Sequence, residues 1–325
     1  MIRRPIALAG LLVLTLVVAA CGSGAPGPAQ NADGSTPIAI GTSSTLSNAS
    51  LYYADSGGAF AQRKLAAKLT VVQSGAAAIP LLLNGQLQFA AADPVSAIVA
   101  VSKNIPVTVV ATGSVTSDAA ATDSSSILVR ADSPIASARD LAGRTVAVNA
   151  LKSLAHITVM SAIDNSGGDS SAVRFVELPL PQMVDAVSRG QVDAAAENEP
   201  YSTHGVQSGL RKIATPLSEA VPGSPQVIYL AEKRYAVEHQ PTVRAFAEAV
   251  TEAGGYLGQH PDQVREVGRT STATPPDILG KIVLPVFNGD RLSQASLTGV
   301  MDLMVRYRVI PAPVDLGVMI TQQGP

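Results

Sequence analysis

The sequence predicts a two-lobed α/β protein whose mostly parallel sheets are covered by helices. Short β-branched runs alternate with longer Ala- and Leu-rich segments, and such alternation is typical of βα units with parallel strands. The same order of segments recurs about a hundred residues later, and an extended apolar segment leaves each copy. A length of 325 residues is enough for about two domains. Together these observations indicate a duplicated fold with one lobe per copy.

The two copies can be followed segment by segment. The first copy is predicted to contain a helix at residues 76–84 and strands at 38–40, 69–72, 87–91 and 106–111. The second copy is predicted to contain a helix at 182–189 and strands at 145–148 and 173–176. The sequence at 85–94 (GQLQFAAADP) is echoed at 190–197 (GQVDAAAE), and Pro200 follows the second copy. In each, a glycine that ends a helix precedes a strand and a polar turn. Agreement of the flanking segments favours duplication over chance similarity.

Two extended apolar segments, at 126–130 and 226–230, are predicted to connect the lobes. We interpret them as paired crossover strands that form a hinge. This interpretation assigns residues 37–126 and 229–325 to lobe one and residues 127–228 to lobe two.

The chain after the second crossover is predicted to return to lobe one as helices. Their predicted ranges are 242–257, 275–286 and 292–306, with a turn at 288–290 between the last two. Helical periodicity in the last segment places four apolar side chains on its buried face: Leu297, Val300, Met301 and Met304.

The N-terminus is predicted to be an export signal. Arg3 and Arg4 precede an apolar run over 6–18 that is shorter than the roughly 20 residues needed to span a bilayer. The sequence Val18-Ala19-Ala20-Cys21 resembles a bacterial lipobox, which predicts a signal peptide over 1–20 and lipidation of Cys21. A plain signal peptide or a buried helix is the alternative. The Gly-, Ala- and Pro-rich residues 21–36 then form a flexible tether. We therefore expect a lipid-anchored protein on the extracytoplasmic face of the cell membrane.

Composition and motifs exclude several classes of function. The net charge of −2 argues against a nucleic-acid-binding protein, which would carry a basic face. Cys21 is the one cysteine, so neither an intramolecular disulfide nor a cysteine metal site is expected. The four histidines are scattered without metal-ligand spacing. We expect no metal, no other cofactor and no catalytic residue, in a protein that is a monomer.

The predicted topology places a ligand site between the lobes. Ligands of open α/β sheets bind beyond the carboxyl ends of the strands, where helix N-termini present free N–H groups. The first copy contributes the predicted contacts Thr42, Ser43, Ser44, Tyr52, Ser74, Gly75 and Asp93. The second copy contributes the predicted contacts Asn149, Lys152, Ser153, Glu197 and Asn198. Helix capping or turn stabilisation is the alternative for each of them.

Glu197 is the most informative of these residues. It ends a small apolar strand, where an unpaired carboxylate would be costly to bury. It is therefore either a ligand contact or a latch between the lobes. Tyr52 or Tyr53 could stack on the ligand, with the other in the core, and Tyr201 is expected to pack at the hinge.

A resemblance to a known family adds to this interpretation. Its motifs are DSPI at 132–135, DLAGRTVAV at 140–148, GQVDAA at 190–195 and EPY at 199–201. With these, the chain resembles the solute-binding proteins for sulfonates, taurine, nitrate and thiamine-type pyrimidines. The resemblance implies a type II periplasmic-binding-protein fold and delivery of a small molecule to the permease and ATPase subunits of an ABC importer. It also implies ligand contacts at residues 42–43, 74–75, 149–153 and at Glu197.

The chain departs from this family at Glu197 and Asn198, where family members often carry an apolar or aromatic residue. A carboxylate would repel an anion unless it were protonated or paired, whereas Lys152 would attract one. The identity and charge of the ligand therefore stay open. An enzyme of the pyrimidine-synthesising type is an alternative, and Lys152 would be its catalytic candidate. A surface sensor that presents its ligand-bound lobe to a receptor is another.

Overall fold

The computed structural model describes residues 30–288 and 292–320. The predicted signal peptide, Cys21, the first part of the tether and most of the predicted turn at 288–290 lie outside the described residues. Residues 30–33 of the tether are exposed, and the first strand begins at Thr36. Within the described ranges, no helix combines the length and apolarity needed to cross a bilayer.

The strands confirm the α/β prediction. In chain order they are β1 (Thr36–Thr42), β2 (Leu65–Val71), β3 (Phe89–Ala92), β4 (Val107–Thr112), β5 (Ser125–Arg130), β6 (Thr145–Val148), β7 (Arg174–Glu177), β8 (Ala194–Asn198), β9 (Leu210–Ala214) and β10 (Ile228–Glu232). They form two five-stranded sheets. The predicted strand at 145–148 has the observed bounds, and the other predicted strands overlap observed ones.

The two sheets have the same strand order. The first runs β2-β1-β3-β10-β4 and the second runs β7-β6-β8-β5-β9. In each, the first three strands are parallel and the fourth is antiparallel to both neighbours. We call the part that contains the first sheet lobe one and the part that contains the second sheet lobe two. The duplication inferred from the sequence is therefore a duplication of topology.

The repeat extends to individual hydrogen bonds. In lobe one, the Gln88 side chain accepts a bond from the Ala39 N–H at 2.8 Å. In lobe two, the Asp193 side chain accepts the corresponding bond from the Thr145 N–H, also at 2.8 Å. Gln88 and Asp193 also donate their backbone N–H groups to the carbonyls of Ala39 and Thr145. Each side chain thus secures the junction of two parallel strands at the same place in its sheet.

The chain crosses between the lobes on a pair of segments that the sequence prediction misplaced. The predicted crossovers at 126–130 and 226–230 are mainly β5 and β10, which are interior strands of opposite sheets. Leu128 packs into one buried cluster of lobe two, and its neighbours Ile127 and Val129 pack into another. A strand that is apolar on both faces belongs inside a sheet, which explains the error.

The real crossing segments directly follow β4 and directly precede β10, and they pair with each other. Gly113 N–H donates to the Val227 carbonyl at 2.8 Å, Gln226 N–H to the Ser114 carbonyl at 2.9 Å, and Val115 forms an antiparallel bridge with Pro225. A Cβ at Gly113 would lie 3.0 Å from the Val227 side chain, so glycine allows this close approach. The predicted hinge of two paired crossover segments is confirmed, but it is formed by residues 113–115 and 225–227. The lobe boundaries predicted at 127 and 229 stay a prediction.

The helices cover both sheets. In chain order they are α1 (Ala49–Ser56), α2 (Ala59–Gln62), α3 (Gly75–Leu83), α4 (Pro94–Ser102), α5 (Leu154–Asn165), α6 (Leu180–Ser188), α7 (Tyr201–Gln207), α8 (Pro216–Ala220), α9 (Lys233–Glu238), α10 (Gln240–Gln259), α11 (Pro261–Ser271), α12 (Pro276–Leu279) and α13 (Thr298–Arg306). Short 3₁₀ turns occur at Leu46–Asn48, Ala120–Thr122, Ala138–Leu141, Ser170–Ala172, Ala295–Leu297 and Leu316–Val318.

The C-terminal helices follow the prediction in part. The helix predicted at 242–257 is α10, and all four side chains predicted to face inward from the last helix are buried. The helix predicted at 275–286 is wrong, because only Pro276–Leu279 is helical. Pro285 disfavours a helical conformation at the residue before it, and Val286 bridges to Val115 of the crossing pair instead.

Candidate functional site

A cleft lies where the carboxyl ends of the parallel strands of both sheets meet. Its lining includes the segments that follow β1, β2 and β3 in lobe one, the segment that follows β6 in lobe two, and the end of β8. Eight of the twelve predicted contacts line it: Ser43, Ser74, Gly75, Asp93, Asn149, Ser153, Glu197 and Asn198. The structure therefore brings together predicted residues from both copies, as the topology of open sheets requires.

Three predicted contacts in lobe one are used elsewhere. Thr42 is fully buried at the end of β1, and its hydroxyl contacts the Ser43 carbonyl. The Ser44 and Tyr201 hydroxyls share a hydrogen bond of 2.8 Å between the lobes. The Tyr52 hydroxyl donates to the Ser43 carbonyl at 2.9 Å, and its ring is buried in the lobe-one core. These side chains shape the loop after β1 and do not line the cleft.

The predicted roles of the other aromatic residues and of Lys152 also change. Tyr53 stacks on Tyr256 with ring centroids 5.1 Å apart, so neither predicted tyrosine stacks in the cleft. Lys152 is exposed, has a left-handed backbone with φ of 56°, and is absent from the cleft lining. Its N–H donates to Nδ1 of His156 at 2.9 Å. Lys152 was predicted as a ligand contact from its place in a turn. It does lie in the turn, but it does not line the cleft.

Two serines of the lining cap the helices that begin at the cleft. Ser74 Oγ accepts from the Ala77 N–H at 3.2 Å, and Ser153 Oγ accepts from the His156 N–H at 3.4 Å. Gly75 begins α3, and a Cβ at this position would lie 2.5 Å from the Cβ of Ala92. The helix can approach the end of β3 this closely because residue 75 has no side chain.

Asp93 joins the two lobes. Its Oδ1 accepts from the Ser96 N–H of α4 at 3.1 Å and from the Leu154 N–H of α5 at 3.0 Å, and its Oδ2 accepts from the Ser96 hydroxyl at 2.6 Å. One carboxylate therefore caps a helix of each lobe. Burial raises the pKa of Asp93, while these hydrogen bonds oppose the shift. Asp93, which was predicted as a ligand contact, lines the cleft and also forms a hydrogen-bonded latch between the lobes.

Further contacts join the lobes around the cleft. The Leu46 N–H donates to the Glu199 carbonyl at 3.0 Å, and the Val283 N–H donates to Oε1 of Glu199 at 3.1 Å. Leu154 and Ile157 of α5 lie in the same buried apolar cluster as residues of lobe one. The lobes are thus in direct contact, and the cleft lies between them.

Glu197 differs from every other carboxyl at this site. It lies at the end of β8, is 1% exposed, and neither of its oxygens has a hydrogen-bond partner among the described residues. Burial raises the pKa of Glu197 well above its ordinary value. Glu199, two residues on, is equally buried but accepts bonds from Val283 and from the N–H and hydroxyl of Thr203. Of the two roles predicted for Glu197, the inter-lobe latch is not formed.

Sequence reasoning missed several polar residues of the lining. Ser47 and Asn48 lie in the 3₁₀ turn Leu46–Asn48, three and four residues beyond the predicted contact Ser44, and Gln226 lies on the crossing pair. Ser47 and Asn48 could have been found by extending the strand-end rule through the next turn. Gln226 donates to Oδ1 of Asn198 at 3.3 Å, a contact that depends on which residues cross between the lobes. Thr158, on the second turn of α5, also lines the cleft.

The electrostatic character of the cleft is acidic. Asp93 and Glu197 are the ionisable side chains in its lining, which includes no lysine, arginine or histidine among the described residues. The described residues also contain no cluster of three or more metal-ligating side chains. The cleft can hold a small polar molecule.

Comparisons with known proteins agree with this architecture. The profile of the NMT1/THI5-like family matches residues 46–264. The chain is 25% identical over 236 residues to the taurine-binding periplasmic protein of Escherichia coli (strain K12), which covers 70% of each protein.

Similar solved structures show the same fold. The alkanesulfonate-binding protein SsuA from Xanthomonas axonopodis pv. citri, bound to MOPS, has a TM-score of 0.74 and 20% identity, over 90% of this chain and 99% of that chain. The ligand-binding component of an ABC-type import system from Staphylococcus aureus has a TM-score of 0.76 and 13% identity, over 87% and 96%. The nitrate-binding protein NrtA from Synechocystis has a TM-score of 0.70 and 13% identity, over 88% and 84%. This chain therefore belongs to the NMT1/THI5-like family and has the two-lobed type II periplasmic-binding-protein fold of ABC-type solute-binding proteins.

Proposed function

We propose that the protein is the solute-binding component of an ABC importer, which captures a small polar organic molecule in the cleft between its lobes. The observation that carries the proposal is the cleft itself, lined by strand-end segments of both sheets and bounded by direct inter-lobe contacts. A ligand held there touches both lobes only when they are closed. Its binding therefore shifts the balance between open and closed forms, and the closed form is what a permease would recognise.

We propose further that the protein is a monomer, anchored by a lipid on Cys21 to the extracytoplasmic face of the membrane. The lipobox-like Val18-Ala19-Ala20-Cys21 and the tether that follows it support this proposal. The periplasmic location named for the Escherichia coli relative is consistent with export. Replacing Cys21→Ser should release the protein from the membrane fraction, and mass spectrometry should find no acyl groups on the variant. A wild-type protein without acyl groups would contradict the anchor.

Lys152, the catalytic candidate of the enzyme alternative, does not line the cleft. Binding without turnover is therefore the function that the site supports best.

Binding and closure can be tested together. A metabolite library screened by thermal shift should yield at least one compound that binds reversibly, without product. Small-angle scattering should then show a smaller radius of gyration with that compound than without it. No binding and no change of shape across the library would contradict the proposed function.

A further inference from the structure

Glu197 gives this cleft an acidic side chain that has no partner among the described residues. An anion site in a protein needs positive side chains or free N–H donors, and the described lining has no basic side chain. At the N-termini of α3 and α5, which open on the cleft, the N–H groups of Ala77, His156 and Leu154 donate to Ser74, Ser153 and Asp93. The ionisable group of the lining that is left without partners among the described residues is the carboxyl of Glu197, which is 1% exposed in this conformation.

The unpartnered polar atoms of the structure concentrate in this cleft. Six buried side-chain atoms have no hydrogen-bond partner among the described residues, and four of them belong to the lining residues Ser47, Asn48 and Glu197. Buried polar atoms are almost always satisfied in folded proteins. A cluster of exceptions at the one place where a ligand is proposed to bind indicates that the ligand satisfies them.

The unpartnered atoms are mainly acceptors. The Asn48 amide nitrogen donates to the carbonyl and hydroxyl of Ser43 and to the Thr45 hydroxyl. Because the Ser43 carbonyl can only accept, this contact fixes the nitrogen there and leaves Oδ1 as the free acceptor. An ionised Glu197 adds two acceptor oxygens from lobe two, and the Ser47 hydroxyl can accept or donate. A ligand that satisfies this set must carry several hydrogen-bond donors.

A protonated nitrogen has the required chemistry. A buried carboxyl without partners is held in its neutral form by desolvation, as the raised pKa of Glu197 indicates. An ammonium or amidinium group beside it would restore the ionised form, and charge-assisted hydrogen bonds are stronger than neutral ones. The remaining N–H groups can reach acceptors such as Oδ1 of Asn48.

We propose that the solute carries a protonated nitrogen and that Glu197 is the residue that selects for it. This inference rests on the proposed binding function and specifies the chemical class of the ligand. Selection arises because a solute of the same shape with a hydroxyl in place of the ammonium leaves the carboxyl without its counter-charge.

Matched pairs of small molecules test the inference. The library contains taurine with isethionate, ethanolamine with ethylene glycol, and putrescine with 1,4-butanediol, so that each pair differs only by ammonium against hydroxyl. We expect the compounds that bind to carry a protonated nitrogen, and the hydroxyl analogue of any amine that binds to bind at least about tenfold more weakly.

Two carboxyl-to-amide variants separate a local role of Glu197 from an effect of surface charge. Glu197→Gln should weaken the binding of the amine found in the screen by about 10- to 100-fold. Asp185→Asn, on the exposed surface of α6, should leave its affinity unchanged. Calorimetry in two buffers of different ionisation enthalpy should show that the wild-type protein releases a proton on binding and that Glu197→Gln does not. The proton count is informative even if the variant is less stable.

The outcomes distinguish the two proposals. Compounds without a protonated nitrogen that bind, compact the protein and tolerate Glu197→Gln would overturn this inference and leave the binding function standing. The absence of any binding or compaction across the library would overturn the binding function and this inference with it.

Discussion

Replacing Glu197 by leucine should stabilise the ligand-free protein. The side chain is 1% exposed and both carboxyl oxygens lack partners. A buried polar group without hydrogen bonds destabilises a folded protein by about 1–3 kcal/mol, and Glu197→Leu removes that cost at similar side-chain volume. At this chain length about 2 °C in Tm corresponds to 1 kcal/mol, so the expected gain is about 2–6 °C.

The gain should also depend on pH. The folded-state pKa of Glu197 is raised by burial, whereas in the unfolded chain it is about 4.3. The contribution of Glu197 to the stability of the wild type is therefore fully present below that value and is lost as pH rises through the folded-state pKa. The advantage of Glu197→Leu should be larger at pH 8 than at pH 5. Asp93 and Glu199, whose pKa values are also raised, titrate in both proteins, so their contributions largely cancel in the difference.

Glu199→Leu is the matched control. Glu199 is as buried as Glu197 but accepts bonds from Val283 and from two donors of Thr203. Its loss leaves those donors unsatisfied, which should cost about 3 kcal/mol. The assay is urea and thermal unfolding of all three proteins, refolded from urea to remove small molecules. Destabilisation by Glu197→Leu, or a gain that is no larger at pH 8 than at pH 5, would refute the reasoning.

Three further changes have defined outcomes. Asp93→Ala removes the acceptor that caps α4 and the α5 N–H of Leu154; we expect a loss of about 1–2 kcal/mol and a larger radius of gyration in scattering, and an unchanged radius would argue against the latch. Gly75→Ala places a methyl group 2.5 Å from the Cβ of Ala92 and should lower the free energy of unfolding by about 1–3 kcal/mol in denaturant titration; a neutral effect would show that α3 can move. Burial lowers the pKa of His156 to about 4, so its NMR shifts should stay constant from pH 8 to pH 5, its stabilising effect being lost only as pH falls below the unfolded value near 6.5; a midpoint near 6.5 in the folded protein would contradict its burial.

The local pattern of apolar and β-branched residues was sufficient to locate the strands of the repeat. It was not sufficient to predict which strands pair with each other. The run at 145–148 became a strand with the predicted bounds because β-branched residues there are flanked by a charged residue and a polar turn. The run at 126–130 was equally clear as a strand, yet its role was wrong. Which strands pair is decided by apolar contacts on both faces of the sheet, and those partners lie far along the chain.

The candidate site shows the same division. Strand-end turns could be located from the repeat, and eight predicted residues line the cleft. The roles of Asp93 and Glu197 could not be assigned from sequence, because each depends on donors of the opposite lobe. Asp93 meets the N–H of Leu154, whereas no described donor reaches Glu197. Lys152 was predicted from its place in a polar turn, but it is exposed and does not line the cleft.

The strand order has a consequence for the order in which the protein can assemble during synthesis. The sheet of lobe two uses β5 to β9, which are complete once residue 214 has been made, but β10 lies between β3 and β4 of lobe one. Until residues 228–232 emerge from the ribosome, β3 and β4 lack the neighbour that joins them, and their hydrogen-bonding edges stay open. We therefore expect the half of the protein made second to fold first, and a chain that ends near residue 225 and has left the ribosome to hold one finished lobe on an incomplete partner.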